Sequence, residues 1–158
     1  PNHGAMMAAA LAQQNPRPQI LSSFTLADPI MARLAGPAWD GVIVPSYFPY
    51  PGTDEKVDRV LQILVERNPE LANMAFNALA GVTFVEPMLE GLRRAGPNLT
   101  KESFVAAMES IQNWDGELLR GVTFGPGRRQ GINSIFLARM VNGVPEPLTD
   151  WIEYPVEF

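Results

Sequence analysis

The sequence predicts an α/β fold, a parallel sheet with flanking helices, and three observations predict it. A strand-like run from Gln19 to Phe24 and a second from Gly41 to Phe48 enclose a short helical segment. Strand, helix and strand within about thirty residues make a βαβ unit, whose crossover is normally right-handed. The second run contains Val42-Ile43-Val44, an unbroken apolar triplet of the kind a central parallel strand requires. Helical patterns from Asp54, Glu70 and Thr100 follow, before strand patterns return after Gly121.

The elements follow in order. Gly4 to Gln14 is rich in Ala, Met and Leu, which predicts a helix stopped by Asn15-Pro16-Arg17-Pro18. It has almost no polar face, so burial around most of its circumference is expected. Asp28-Pro29 is a helix start, an acidic N-cap followed by Pro at the first helical position, and Gly36-Pro37 is the stop. Pro49-Tyr50-Pro51-Gly52 is a stiff connector, a boundary or hinge. From Asp54 to Arg67 the residues Val57, Val60, Leu61, Leu64 and Val65 share one face of an amphipathic helix. Its first turn holds Asp54, Glu55 and Asp58, where the helix dipole favours negative charge.

Asn68-Pro69 ends that helix and opens a long apolar one from Glu70 to Arg94, expected to bend at Pro87 for want of an N–H. Ala95-Gly96-Pro97 stops it. Thr100 caps the next, with Phe104, Val105, Met108 and Ile111 as its apolar face. Between Gly121 and Gly143 lie a short strand pattern (Val122-Thr123-Phe124), a turn at Gly125-Pro126-Gly127 and an apolar run from Ile132 to Val141. That run ends in Asn142-Gly143, the strongest two-residue hairpin signal. Trp151 to Val156 is a strand-like tail broken by Pro155.

Composition narrows the function. The 158 residues suffice for one compact domain, and 46% hydrophobic with 18% charged residues argues for a folded chain. A net charge of -5 argues against a nucleic-acid partner, which needs clustered cations. The absence of cysteine excludes disulfides, thiol nucleophiles and zinc-thiolate sites, and a single His3 leaves no histidine triad. Leu71 to Leu92 is interrupted by Asn73, Asn77, Thr83, Glu86 and Pro87, so a buried helix is expected there rather than a membrane span. No signal-peptide pattern follows Pro1, and the missing initiator Met implies a processed, trimmed or partial chain. Gly121 to Gly127 has the look of a phosphate loop but lacks the Lys-Ser/Thr ending and leads into a strand. No carboxylate pair has a spacing suited to acid/base work. The expectation is therefore a protein that is not an enzyme and needs no metal or cofactor.

Ligands of open α/β sheets bind beyond the carboxyl ends of the strands. Here those ends read Ser22-Ser23-Phe24-Thr25 and Pro45-Ser46-Tyr47-Phe48, hydroxyls and rings that suit a small polar molecule with an apolar body. Turn capping by the serines and ring packing are the competing use. Asn73 and Asn77, one helical turn apart, have the same two uses, ligand contact or helix-helix hydrogen bonding.

Taken as a series, five stretches carry a family resemblance. They are Ser22-Ser23 through Asp28, Ala35-Gly36 to Gly41-Val42-Ile43-Val44, Leu92-Arg93-Arg94-Ala95-Gly96-Pro97, Leu99-Thr100 to Ala107, and Gly121-Val122-Thr123-Phe124 with Gly131 and Val141-Asn142-Gly143. In this order and spacing the chain resembles the C-terminal half of the periplasmic substrate-binding proteins of branched-chain amino acid type ABC transporters, the Leu/Ile/Val-binding protein family with the type 1 periplasmic binding fold. The resemblance implies two Rossmann-like lobes joined by three crossovers, with the N-terminal half missing. Residues 1–47 would belong to the second lobe, 48–135 to the C-terminal helical part of the first, and 136–158 to the return into the second. Tyr47–Pro51 and Ile135–Leu137 would be hinge segments.

The resemblance also implies a site at Ser23, Phe24 and Thr25, with Tyr47 and Asn77. Amino-acid binders of the family carry an acidic residue where Phe24 stands, and their frequent Tyr in the long helix falls near Val82. A phenyl ring cannot balance a buried ammonium but covers an apolar body. The expected ligand is therefore an aromatic or aliphatic carboxylate rather than an α-amino acid. The implied partners are a small-molecule ligand, an inner-membrane ABC permease, and the missing half or a second copy of the chain. The implied place is the periplasm. A ligand-binding sensor domain of a receptor and a branched-chain amino acid binder are the alternatives.

Overall fold

The computed structural model describes residues 2–156. The chain runs α1 (Asn2–Leu11), α2 (Ile30–Ala35), β1 (Ile43–Ser46), α3 (Glu55–Arg67), α4 (Ala75–Ala95), α5 (Lys101–Glu109), β2 (Ser134–Val141), β3 (Val144–Pro147) and β4 (Ile152–Glu153). Short 3-10 turns lie at Phe24–Leu26, Gly36–Trp39 and Pro69–Met74.

The class is α/β, but the named strands pair antiparallel, with β2 against β1, β3 and β4. Parallel pairing is confined to one bridge, Leu21 to Ile43, held by Ser22 N to the Ile43 carbonyl (2.9 Å) and Ile43 N to the Ile20 carbonyl (3.0 Å). The expected strand to Phe24 stops there because the backbone closes a 3-10 turn, Leu26 N to Ser23 O (3.1 Å) and Ala27 N to Phe24 O (3.0 Å). Asn142 and Gly143 take φ of 50° and 82°, so the Asn-Gly pair makes the two-residue hairpin that its sequence predicts, joining β2 to β3. A Cβ on Gly143 would sit 2.8 Å from Ala32 Cβ, so the turn rests directly on α2.

Capping follows the sequence closely. Asp28 Oδ1 accepts from Ile30 N (2.9 Å), Asp54 Oδ1 from Lys56 N (2.8 Å) and Asn68 Oδ1 from Glu70 N (3.2 Å). Thr100 and Ser103 form a reciprocal capping box at α5.

Three expectations are corrected. In α1 only Ala5 and Ala8 are buried, while Met6 and Met7 are 69% and 64% exposed. The helix docks through a stripe of small residues, and its wide apolar face turns outward. The long helix begins at Ala75 rather than Glu70, because Asn68 caps a 3-10 segment opened by Pro69. It then runs through Pro87 to Ala95 as one element. In α5 the stripe that packs inward is Phe104, Ala107, Met108 and Ile111, and Val105 is exposed. Gly91 sets this choice: Phe104 and Met108 close over it so tightly that no Cβ fits, and Val105 falls off that line.

Two apolar clusters result. The larger is built on Met31, Trp39, Val42, Val44, Phe48, Tyr50, Phe76, Leu79, Phe136 and Met140, and joins α1, α2, α3, β1 and β2 to the first turns of α4. The smaller centres on Ile111, Leu119 and Val122. Tyr47 packs against both. Among the described residues no helix is long and apolar enough to cross a membrane.

Candidate functional site

Tyr47 follows β1 directly, and beside it a cavity of about 490 Å³ opens. Phe24 and Tyr47 form one wall. The middle of α4 supplies Thr83, Phe84, Pro87 and Met88, and the smaller cluster supplies Met108, Leu119, Val122, Phe124 and Ile132. Arg129, Gln130, Gly131 and Tyr154 complete the lining.

The two aromatic wall residues meet edge to face, their ring centroids 5.1 Å apart. Tyr47 Oη lies 3.3 Å from Thr83 Oγ1. Thr83 donates its proton to the Ala80 carbonyl (2.7 Å), so the tyrosine must be the donor between them. Burial pushes the Tyr47 pKa up, more than the Thr83 contact lowers it, and the phenol stays neutral. Gln130 Nε2 donates to Tyr154 Oη (2.6 Å), which donates to the Ile132 carbonyl (3.3 Å). These bonds pin the C-terminal tail to the 130–132 segment.

Electrostatically the site is one-sided. Among the described residues Arg129 is the only charged residue in the lining. Its Nη1 pairs with Glu109 Oε1 at 2.9 Å, and Glu109 lies outside the lining. An apolar chamber with a guanidinium in its lining suits a molecule with an apolar body and an electron-rich polar end.

Of the residues predicted from sequence, the structure brings Phe24 and Tyr47 to this cavity. Ser23 and Thr25 lie outside it, their hydroxyls bonded to each other at 2.8 Å. Asn77 also lies outside, and its Nδ2 donates to Asp28 Oδ2 (3.2 Å), a contact between α4 and the start of α2. Val82 packs against the larger cluster, and the neighbouring Thr83 and Phe84 take the cavity wall. Sequence reasoning missed Thr83, Phe84 and Met88, although a lone Thr in an apolar helix with residues four apart behind it was a usable signal. Nothing local marked Arg129, Gln130 or Tyr154.

Comparison with known proteins places this frame. The architecture is a partial type 1 periplasmic binding fold. The chain matches the periplasmic binding protein family over residues 1–144 and belongs to it. Among solved structures it is similar to a branched chain amino acid ABC transporter from Thermus thermophilus with bound valine, at 14% identity and a TM-score of 0.74, covering 96% of this chain and 43% of that one. It is also similar to a fatty acid ABC transporter substrate-binding protein from Thermomonospora curvata, at 16% identity and a TM-score of 0.72, covering 96% and 41%. A substrate-binding periplasmic protein from Ralstonia solanacearum gives 24% identity and a TM-score of 0.68, covering 90% and 42%. Identities this low establish the fold alone. The chain spans less than half the length of these structures. Curated proteins give no match.

Proposed function

We propose that the chain is part of an extracytoplasmic solute-binding protein that closes two lobes over an aromatic or aliphatic carboxylate and delivers it to an inner-membrane ABC permease. The observation that carries the reading is the cavity lining, which among the described residues holds Phe24 and other apolar groups, one cation and no carboxylate. A buried ammonium without a counter-charge is too costly to accept, whereas a carboxylate meets the Arg129 guanidinium. The role is binding and release rather than catalysis.

The lobe assignment is part of the same proposal: 1–47 and 136–158 in the second lobe, 48–135 in the first. It draws support from the strand that leads into the first proposed hinge pairing with the second, Pro45 opposite Leu137 and Ser46 opposite Phe136. Exposed Phe84, Met88 and Leu89 on α4, with Met6 and Met7 on α1, are surfaces that the remaining half of a two-lobed protein would cover. Ser23, Thr25 and Asn77 would act from behind the Phe24 wall.

The test is calorimetry on the intact protein with phenylacetate, octanoate and valine. One of the carboxylates should bind and valine should not. Phe24→Ala should weaken the carboxylate about tenfold, the loss of roughly 1.5 kcal/mol of covered ring, and Phe24→Glu should abolish it. Tighter binding of valine than of either acid would overturn the ligand class, and equal affinities in both variants would overturn the site.

A further inference from the structure

We propose that Glu86 is a positioning residue for the cavity: from α4 it grips the 115–119 loop by its backbone and thereby fixes the wall that Leu119 presents to the ligand. The inference rests on the reading of the cavity as the ligand site.

The loop is tied to itself at several points. Trp114 and Val122 exchange two backbone hydrogen bonds of 2.9 Å, Gly116 N donates to the Leu119 carbonyl (2.8 Å), and Gly121 N donates to Asp115 Oδ1 (2.8 Å). A unit closed in this way moves as a body unless something outside holds it. From α3 it is held by Arg59 to Glu117, Arg120 to Asp54 (3.0 Å) and Lys56 Nζ to the Gly116 carbonyl (3.5 Å). These contacts are solvent-exposed, and such pairs are weak and screened by salt.

The hold from α4 is of another kind. Glu86 Oε1 accepts from Leu118 N at 2.9 Å and Oε2 from Leu119 N at 3.3 Å, charge-assisted bonds to two successive amides. Gly116 passes so close that a Cβ there would push Oε2 aside, and its φ is not positive, so the glycine matters for space rather than for backbone conformation. The two gripped residues are 1% and 5% exposed. Leu118 joins the larger cluster, and Leu119 joins the smaller one and lines the cavity. One carboxylate thus sets the register between α4 and a cavity wall, with Thr83 and Pro87 of that helix lining the same chamber.

The charged groups around Glu86 are Lys56 from α3, Glu90 and Arg93 from α4, and Asp115 and Glu117 from the loop. Burial pushes the Glu86 pKa up, and the Leu118 and Leu119 amides pull against that. Glu90 is already committed to Arg93 and Arg94 and faces away from the cavity lining, which makes it a matched control on the same helix.

The intact protein and its Glu86→Gln, Glu90→Gln and Phe24→Ala variants are titrated with phenylacetate and octanoate, and amide exchange is followed with and without ligand. Glu86→Gln turns an NH2 against one of two N–H donors and should weaken binding about tenfold, the cost of one charge-assisted bond. The Leu118 and Leu119 amides should exchange faster in that variant alone, and ligand should protect them in the wild type by reciprocity. Glu90→Gln should leave affinity unchanged. If Phe24→Ala weakens binding and Glu86→Gln does not, the positioning role is wrong and the site stands. Equal losses in both glutamate variants reduce Glu86 to general stability and also overturn the role. If neither acid binds the wild type, the ligand reading fails, and the clamp is then judged by exchange: unchanged Leu118 and Leu119 rates in Glu86→Gln overturn it.

Discussion

The two apolar clusters are assembled by different means. The larger is welded by interlocking rings from elements far apart in sequence: Phe48 stacks on Phe76 at 5.0 Å, Tyr50 on Phe76 at 5.6 Å, and Phe136 meets Tyr50 edge on at 5.6 Å. The smaller has three fully buried members, and hydrogen-bonded loops rather than strands present its side chains. Where rings interlock, a truncation leaves a hole that cannot close. Loops held by discrete bonds can shift, and the shift is felt by whatever they line. The difference assigns stability to the first cluster and the shape of the cavity to the second.

The largest effect should therefore come from Phe76→Ala, about 3–5 kcal/mol of stability in a urea titration, with little change in ligand affinity for the fraction that stays folded. Ile111→Ala should cost less, roughly 2–4 kcal/mol, yet weaken binding as well. If affinity is untouched, the division between the clusters breaks down. Next is an acid effect at the C-terminal end of α4, where Glu90 is buried. Arg93 and Arg94 hydrogen-bond to Glu90 and hold its pKa down to about 2. A depressed carboxylate contributes stability above its ordinary range and loses it as pH falls toward the folded value. The urea midpoint should fall between about pH 5 and about pH 2, and Glu90→Gln should flatten that fall while starting lower. Tyr47→Phe should be smallest, about 1 kcal/mol or less. Because this ring touches both clusters, stability and affinity should change together, and a change in only one would show which cluster owns the residue.

Local signals were legible where the chemistry is local. Asp54, Asn68, Thr100 and Asn142-Gly143 each act within a few residues of themselves, and each does what its type predicts. The exposed methionines of α1 were not legible, because an apolar face only implies burial when something is there to cover it. Parallel pairing was overestimated because the apolar triplet at Val42 reports burial on both faces, not the direction of its neighbours. At the cavity, Phe24 and Tyr47 could be singled out because strand ends are where ligands of such sheets gather. Glu86, Arg129 and Tyr154 could not, since their placement depends on a helix, a turn and a tail crossing in space.

The rings named above form one unbroken series from cavity to surface. Phe24 touches Tyr47, Tyr47 touches Phe48, and contacts pass on through Phe76, Tyr50 and Phe136 to Trp151, which is 40% exposed. Tyrosine excitation passes through space to a nearby indole, and the ring series sets how far the phenol at the cavity wall lies from an emitter near solvent. The molecule thus carries its own optical gauge: occupancy of the chamber should be readable as a change in sensitised tryptophan emission, without any label attached.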